Sequence, residues 1–186
     1  MVAGGAAVAI LRSTYVHALD GSSERRVGPG RLMQWSPAGD EVTCSTPPVS
    51  SGTDCVHGTD RPDRIIGGHD RDVIFPGAGD DRVWGRGGDD RIDTAYGRDF
   101  VDAGADNDIV FTHGNDDRIY GGFGTDHLHP GNGEDFVDGG FGGDTIFVAG
   151  DGRADRVRCG RGLDYVYADP VDKVARDCER VRRPPS

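Results

Sequence analysis

Aspartate recurs at every ninth position through the middle of the chain. Ten successive aspartates keep this spacing, and an aliphatic residue follows two positions after each of them. The aspartates are Asp63, Asp72, Asp81, Asp90, Asp99, Asp108, Asp117, Asp126, Asp135 and Asp144. Carboxylate oxygens are the ligands that hard divalent cations prefer. The spacing therefore points to a row of cation sites.

The repeated segment carries a negative charge that a folded chain has to neutralise. Residues 58–147 contain 19 aspartates and one glutamate against 8 arginines, a net charge of −12. If successive turns stack, like charges lie about 5 Å apart and repel each other. Calcium suits such a column because it accepts about 6–8 oxygen ligands in loose geometry, whereas magnesium requires a tight octahedron. The alternative is that the aspartates only form hydrogen-bonded turns and bind no metal.

Each nine-residue unit combines six glycine-rich residues with three residues that have an aliphatic centre. Glycine accepts positive φ and permits sharp turns, and β-branched residues suit short strands. Two units therefore predict one coil of eighteen residues. The aliphatic residues point inward in two columns, which are Ile65, Val83, Val101, Ile119, Val137 and Ile74, Ile92, Val110, Leu128, Ile146. Such a core is too thin to offset the ordering entropy unaided, so another source of stability is required.

Several units approach the pattern Gly-Gly-x-Gly-x-Asp-x-aliphatic-x, for example residues 121–129 and 139–147. On these motifs the chain from 58 to 147 resembles the RTX family, also called haemolysin-type calcium-binding repeats. The resemblance implies a parallel β-roll with calcium as its cofactor. It also implies that each ion lies between neighbouring turns on the same side, bound by the aspartate and by main-chain carbonyls. Five coils leave four gaps on each edge, so eight ions are the upper bound.

The predicted calcium ligands are column aspartates and turn glycines. The gap between Asp126 and Asp144 follows the pattern best, and the gap between Asp81 and Asp99 comes next. The full set is Asp81, Asp90, Asp99, Asp108, Asp117, Asp126, Asp135, Asp144, Gly79, Gly88, Gly97, Gly122, Gly124, Gly131, Gly133, Gly140 and Gly142.

The first two aspartates of the series stand apart from this set. At the turn before Asp63, Arg61 and Pro62 replace the glycine pattern. Proline restricts the residue before it, so this turn is expected to cap the start of the roll instead of binding an ion. Sites that involve Asp63 or Asp72 are therefore not part of the core prediction.

We predict an all-β fold, a parallel β-roll of about five coils, with a short N-terminal β segment and a C-terminal cap fastened by a disulfide. The roll covers residues 58–147. Residues 1–43 form the N-terminal segment, within which residues 9–42 resemble one TolB-type, WD40-like propeller repeat. Residues 44–57 form a linker, residues 148–182 form degenerate repeats and the cap, and residues 183–186 form a disordered tail.

Four cysteines lie in two pairs on either side of the acidic middle. Sequence alone leaves three connectivities open, and we predict the two local bridges, Cys44 with Cys55 and Cys159 with Cys178. Disulfides are typical of oxidising compartments, so this prediction favours an extracellular protein, either secreted or on the cell surface.

Composition excludes several other functions. The net charge of −11 argues against a nucleic-acid partner, and no run of 18 apolar residues suggests a membrane span. Motifs of hydrolases, zinc proteases, P-loop proteins and EF-hands are absent from the sequence. The leading interpretation is a non-catalytic calcium-binding roll. The alternatives are an adhesion or protein-interaction module that uses exposed aromatics and the propeller-like segment, with an unknown protein or glycan partner, and a polysaccharide epimerase or lyase.

The outward strand positions carry a periodic set of arginine and aromatic residues. We interpret them as a ladder of cation–π contacts within the protein, in preference to a partner surface. The set is Arg64, Arg82, Phe100, Arg118 and Phe136, with Trp84 and Tyr120 in a second series.

Overall fold

The structure is a computed structural model that describes residues 8–12, 15–18, 25–26, 33–34 and 54–183. Every helix or strand assigned in these ranges is a β-strand, which confirms the all-β fold class. No helix in the described ranges is long and apolar enough to cross a membrane. The strands are β1 (Val8–Arg12), β2 (Tyr15–Ala18), β3 (Arg25–Arg26), β4 (Met33–Gln34), β5 (Asp54–His57), β6 (Arg64–Ile66), β7 (Asp72–Phe75), β8 (Arg82–Gly87), β9 (Arg91–Asp93), β10 (Phe100–Ala105), β11 (Ile109–Phe111), β12 (Arg118–Phe123), β13 (His127–His129), β14 (Phe136–Phe141), β15 (Thr145–Phe147), β16 (Arg156–Arg161), β17 (Tyr165–Tyr167), β18 (Lys173–Val174) and β19 (Arg180–Arg182).

The chain alternates between two sheets and so winds into a β-solenoid. The long-strand sheet has the order β18-β16-β14-β12-β10-β8-β6-β1-β2-β3, and the short-strand sheet has the order β19-β17-β15-β13-β11-β9-β7-β5-β4. Neighbouring coils pair in parallel, with Val101 opposite Ile119 in the first sheet and Val110 opposite Leu128 in the second. The eighteen-residue period therefore places equivalent residues side by side, as the sequence predicts.

The solenoid has about seven turns, where the sequence predicts about five. Strands β16 to β19 continue both sheets beyond residue 147 in parallel register. The degenerate repeats contain additional residues, and these residues lie in the turns. Val137 therefore still pairs with Val157, although twenty residues separate them. Hydrophobic pairing between strands thus tolerates changes in turn length that obscure the sequence period.

The segment before residue 58 also adds strands to the sheets. Strand β5 lies within residues 44–57, the predicted linker, and pairs in parallel with β7. Strand β1 pairs in parallel with β6, and β2 and β3 extend that edge in antiparallel fashion. The N-terminal β segment is therefore continuous with the sheets of the roll.

The core consists of the two predicted columns of aliphatic residues. All ten are buried, and the nine from Ile74 to Ile146 are fully enclosed between the sheets. Val157 and Val166 continue the two columns into the later coils. Nearly all of these residues are β-branched, which suits the strands that carry them.

Two turns show why glycine is required at the coil edge. Gly142 and Gly162 have φ of 135° and 150°. A Cβ atom at Gly142 would lie 1.5 Å from the carbonyl oxygen of Gly124, and one at Gly162 would lie 1.4 Å from that of Gly142. Neighbouring coils therefore approach so closely that any side chain at these positions would separate them.

A disulfide joins Cys159 to Cys178, as predicted, with the Cα atoms 5.1 Å apart. It links strand β16 to the turn before the last strand and so holds the C-terminal coil against the rest of the roll. The other predicted bridge requires Cys44, which lies outside the described residues.

Removal of this disulfide should weaken the C-terminal coil. For the variant Cys159→Ala/Cys178→Ser we expect the free energy of unfolding in calcium to fall by about 2–4 kcal/mol, because the bridge closes a loop in the unfolded chain. Urea unfolding followed by circular dichroism measures this change. Wild-type protein in reducing agent, which also opens the predicted Cys44–Cys55 bridge, is the control and should be destabilised at least as much as the variant. An unchanged unfolding midpoint in both samples would contradict a stabilising bridge.

Candidate metal centre

The column aspartates lie where each turn ends and a strand begins. Their positions at the starts of strands from two different sheets place them in two columns on opposite edges of the roll. The eight aspartates of the predicted set are at most 2% exposed. Buried carboxylates in a row are costly unless each oxygen has a partner, so the partners of the two oxygens decide what the column can do.

One oxygen of each carboxylate is satisfied by the neighbouring coil. The amide N–H of Asp126 donates to Oδ1 of Asp144 at 3.0 Å, and the amide N–H of Asp81 donates to Oδ1 of Asp99 at 2.9 Å. The same bond recurs along both edges, including Asp135 to Asp155 and Asp144 to Asp164 at 2.8 Å. This ladder fixes the side-chain direction of the column aspartates from Asp81 onward.

The second oxygen is buried without a partner in most of the column. Nine Oδ2 atoms make no hydrogen bond within the described residues, and they belong to Asp81, Asp90, Asp108, Asp117, Asp126, Asp135, Asp144, Asp155 and Asp164. A buried acceptor of this kind is unfavourable by about 1–3 kcal/mol unless a proton or a cation binds it. The roll therefore contains two rows of oxygen atoms that fit a hard cation.

Three column aspartates differ because a nearby group of their own coil satisfies Oδ2. The Oδ2 atom of Asp63 accepts from the amide N–H of Thr59 at 2.6 Å, and that of Asp72 accepts from the amide N–H of Gly68 at 2.7 Å. The hydroxyl of Thr94 donates to Oδ2 of Asp99. The first two cases separate Asp63 and Asp72 from the predicted set. Because Thr94 donates to Asp99, the Asp81–Asp99 gap has only one oxygen without a partner, Oδ2 of Asp81.

Sequence reasoning missed the first glycine of the nine-residue unit as part of the site. A Cβ atom at Gly121 would lie 2.6 Å from Oδ2 of Asp126 and 2.5 Å from the carbonyl oxygen of Gly139. A Cβ atom at Gly85 would lie 2.5 Å from Oδ2 of Asp90. The absence of a side chain at this position thus leaves room beside the unpartnered oxygen. The repeat pattern itself contains the signal, since glycine recurs at its first position.

The predicted glycines at the other turn positions line the same edges. A Cβ atom at Gly124 would lie 1.9 Å from the carbonyl oxygen of Asp106, and one at Gly140 would lie 2.2 Å from that of Gly122. Main-chain carbonyls are therefore stacked from coil to coil beside the aspartates. All predicted glycines except Gly133 have positive φ, namely Gly79, Gly88, Gly97, Gly122, Gly124, Gly131, Gly140 and Gly142.

No group of three or more acidic, histidine or cysteine side chains converges within the described part of the chain. One carboxylate is available from each turn, so a bound cation would need main-chain carbonyls to complete its shell. That donor set, composed entirely of oxygen, suits calcium better than a transition metal.

Burial changes the protonation of the column. Burial, together with the repulsion of neighbouring carboxylates, raises the pKa of Asp90, Asp108 and Asp117 to about 8. Burial also raises the pKa of Asp126 and Asp135 to about 6. Without a cation, the folded column therefore holds protons close to neutral pH.

The calcium-free roll should lose stability as the pH rises. The usual pKa of an aspartate is 3.8, and the folded column titrates at about 6 to about 8. The folded state thus binds more protons than the unfolded chain between these values, so its stability is greatest below pH 3.8 and is lost as the pH rises through 6 to 8. The far-UV circular dichroism spectrum in calcium chelator at about pH 5, 7 and 9 measures this trend, and the β signal should be largest at pH 5. A β signal that grows with pH in chelator would contradict it.

Comparison with known families agrees with this geometry. The family model described as RTX calcium-binding nonapeptide repeat (4 copies) matches residues 50–83, 77–110, 84–118, 93–128 and 111–146. These overlapping matches cover more than half of the chain and confirm the resemblance seen in the sequence. Neither a curated protein nor a solved structure matches it. RTX nonapeptide repeats bind Ca²⁺, and the chain belongs to the family of RTX calcium-binding nonapeptide repeat proteins.

Proposed function

We propose that the chain is a non-catalytic, extracellular β-roll that folds when calcium binds to its aspartate columns. The observation that carries this proposal is the set of nine buried Oδ2 atoms without a partner. An ion at each gap would supply the missing partner and neutralise the repulsion along the column. Calcium is thus a structural ligand of this protein.

The ligands in this proposal are the predicted aspartates and glycines, extended by Asp155 and Asp164. The gap between Asp126 and Asp144 is the strongest site, because both Oδ2 atoms lack a partner and both adjoin a first-position glycine, Gly121 and Gly139. At Asp99 the hydroxyl of Thr94 replaces one ligand contact, so the Asp81–Asp99 site is weaker.

Two features support an extracellular structural role. The Cys159–Cys178 disulfide is typical of proteins from oxidising compartments. The extracellular medium also supplies calcium at the level that extracellular calcium-binding modules require, with dissociation constants of about 10⁻⁴–10⁻³ M. The carboxylates of the column aspartates point towards the neighbouring coil, where each accepts a hydrogen bond from an amide N–H. This position between coils suits them to binding a structural ion.

Calcium should drive folding of the repeat region. Without it at neutral pH the columns repel and the thin core is insufficient, so we expect a largely disordered far-UV circular dichroism spectrum in chelator. Calcium well above its dissociation constant stabilises the folded state at every site, and the β spectrum should appear cooperatively.

Magnesium at the same concentration is the control and should produce little change, because it keeps its waters. A β spectrum that is identical in chelator and in about 10 mM calcium, roughly tenfold above the weakest dissociation constant expected, would reject calcium-dependent folding.

Two aspartates that share an ion should not act independently. Asparagine keeps the Oδ1 acceptor but replaces Oδ2 with an amide, so Asp126→Asn and Asp144→Asn disturb the same site while preserving the ladder. We expect their effects on the calcium midpoint of folding to be strongly non-additive. Asp126→Asn combined with Asp81→Asn affects different edges and should be nearly additive.

The exposed Asp116 provides the charge-matched control for this series. Its Oδ1 atom accepts from the amide N–H of Glu134 at 3.0 Å on the outside of the turn. Asp116→Asn removes one negative charge without removing a buried Oδ2, so the calcium midpoint should change little. Equal additivity in both pairs would show that Asp126 and Asp144 do not share an ion.

A further inference from the structure

The outward face of the long-strand sheet is positively charged although the chain is acidic. We define the arginine face as the first, third and fifth residues of β8, β10, β12, β14 and β16. It carries five arginines against two aspartates, a formal charge of +3, on a chain of net charge −11. The outward positions of the short-strand sheet in the same coils are nearly uncharged. If the histidines are counted as neutral, only Arg91 and Asp93 are ionised there. The arginines of the face are Arg82, Arg86, Arg118, Arg156 and Arg158.

A ridge of aromatic rings runs along the arginine face. The ring centroids of Trp84, Phe100, Tyr120 and Phe136 follow one another at 5.6, 5.6 and 5.7 Å. Of the predicted arginines, Arg64 lies over Trp84 at 4.8 Å, and Arg158, which was not predicted, lies over Phe136 at 5.6 Å, so the predicted cation–π ladder forms only in part. All four rings are only partly buried. The ladder therefore also presents a continuous, partly apolar ridge to solvent, parallel to the solenoid axis.

A strip without side chains lies beside this ridge. It consists of the fifth strand residues Gly104, Gly122, Gly140 and Gly160. A Cβ atom at any of them would lie 2.0–2.4 Å from a main-chain oxygen of the preceding coil, so the strip has to remain bare. Beyond it stand the stacked rings of Phe123 and Phe141, which are 60% and 46% exposed. The bare strip thus crosses four coils, and on two of them it lies between aromatic rings on both sides.

We propose that this face binds a linear anionic polysaccharide that carries carboxylate groups, with its chain laid along the solenoid axis. The apolar C–H face of a sugar ring suits the aromatic ridge, and arginine pairs with carboxylates through two parallel hydrogen bonds. Arg118 and Arg156 flank Phe136 in one column of the sheet. They are two strands apart, about 9.6 Å, which suits a carboxylate on every second sugar.

The two aspartates of the face favour a glycan over a nucleic acid. Asp102 and Asp138 lie in the third-position column, on either side of Tyr120. Their carboxylates can accept hydrogen bonds from sugar hydroxyls, but they would repel a polymer with a phosphate at every unit. This inference goes beyond calcium binding and requires only that the roll is folded.

The test uses the full chain in saturating calcium with a fluorescein-labelled hyaluronan oligosaccharide as the probe. The variant Arg118→Gln/Arg156→Gln changes the face, and Arg91→Gln/Arg180→Gln removes the same charge from the short-strand sheet. Binding is measured by fluorescence anisotropy, and circular dichroism verifies that each protein is folded. We expect the face variant to bind about tenfold more weakly, since two surface charge contacts are lost, and the control pair to bind like wild type.

Two competitors complete the design and use only the wild-type protein. Hyaluronan with its carboxyl groups reduced to alcohols should displace the probe poorly, and so should a single-stranded DNA oligonucleotide of similar length. The proposal is overturned if hyaluronan does not bind the folded roll, if both variants lose affinity equally, or if the reduced polymer competes as well as the native one. Stronger competition by DNA would replace the glycan with a nucleic acid as the partner of this face.

Discussion

The hydrogen bond from one aspartate amide to the carboxylate of the next coil organises the whole roll. It holds Oδ1 in place, as between Asp126 and Asp144, and thereby directs Oδ2 into the buried edge without a partner. Most turns consequently have one satisfied and one unsatisfied oxygen. The need for glycine beside the carboxylate and the need for a counterion both follow from this division.

The counterion matters because the rest of the fold contributes little surplus stability. The interior is a pair of single-file columns such as Val101, Ile119 and Val137, and the described coils order 24 glycines around it. Glycine loses more backbone entropy on folding than any other residue. Protons can satisfy the columns in acid, and a divalent cation can satisfy them at neutral pH. The same carboxylates that destabilise the empty roll thus make its folding responsive to its surroundings.

Sequence reasoning captures those parts of the structure that repeat. The strict period of nine fixes both columns, the inward residues and the parallel coils, because equal spacing places equal residues side by side. It identifies residues 148–182 as degenerate repeats but underestimates the number of coils, since the pairing there depends on strand contacts such as Val137 with Val157 and not on turn length. It also does not show that Thr94 occupies Oδ2 of Asp99, because that contact is specific to a single turn.

The edges and the faces of the roll serve separate electrostatic roles. The column aspartates are buried at the edges, whereas the arginines of the long-strand sheet stand on its outer face. Cations bound along the edges would cancel most of the negative charge that now surrounds that face. The positive potential of residues such as Arg118 would then extend further into solvent, because fewer nearby carboxylates oppose it. Calcium that folds the roll would in this way also increase the attraction of its outer face for an anionic polymer.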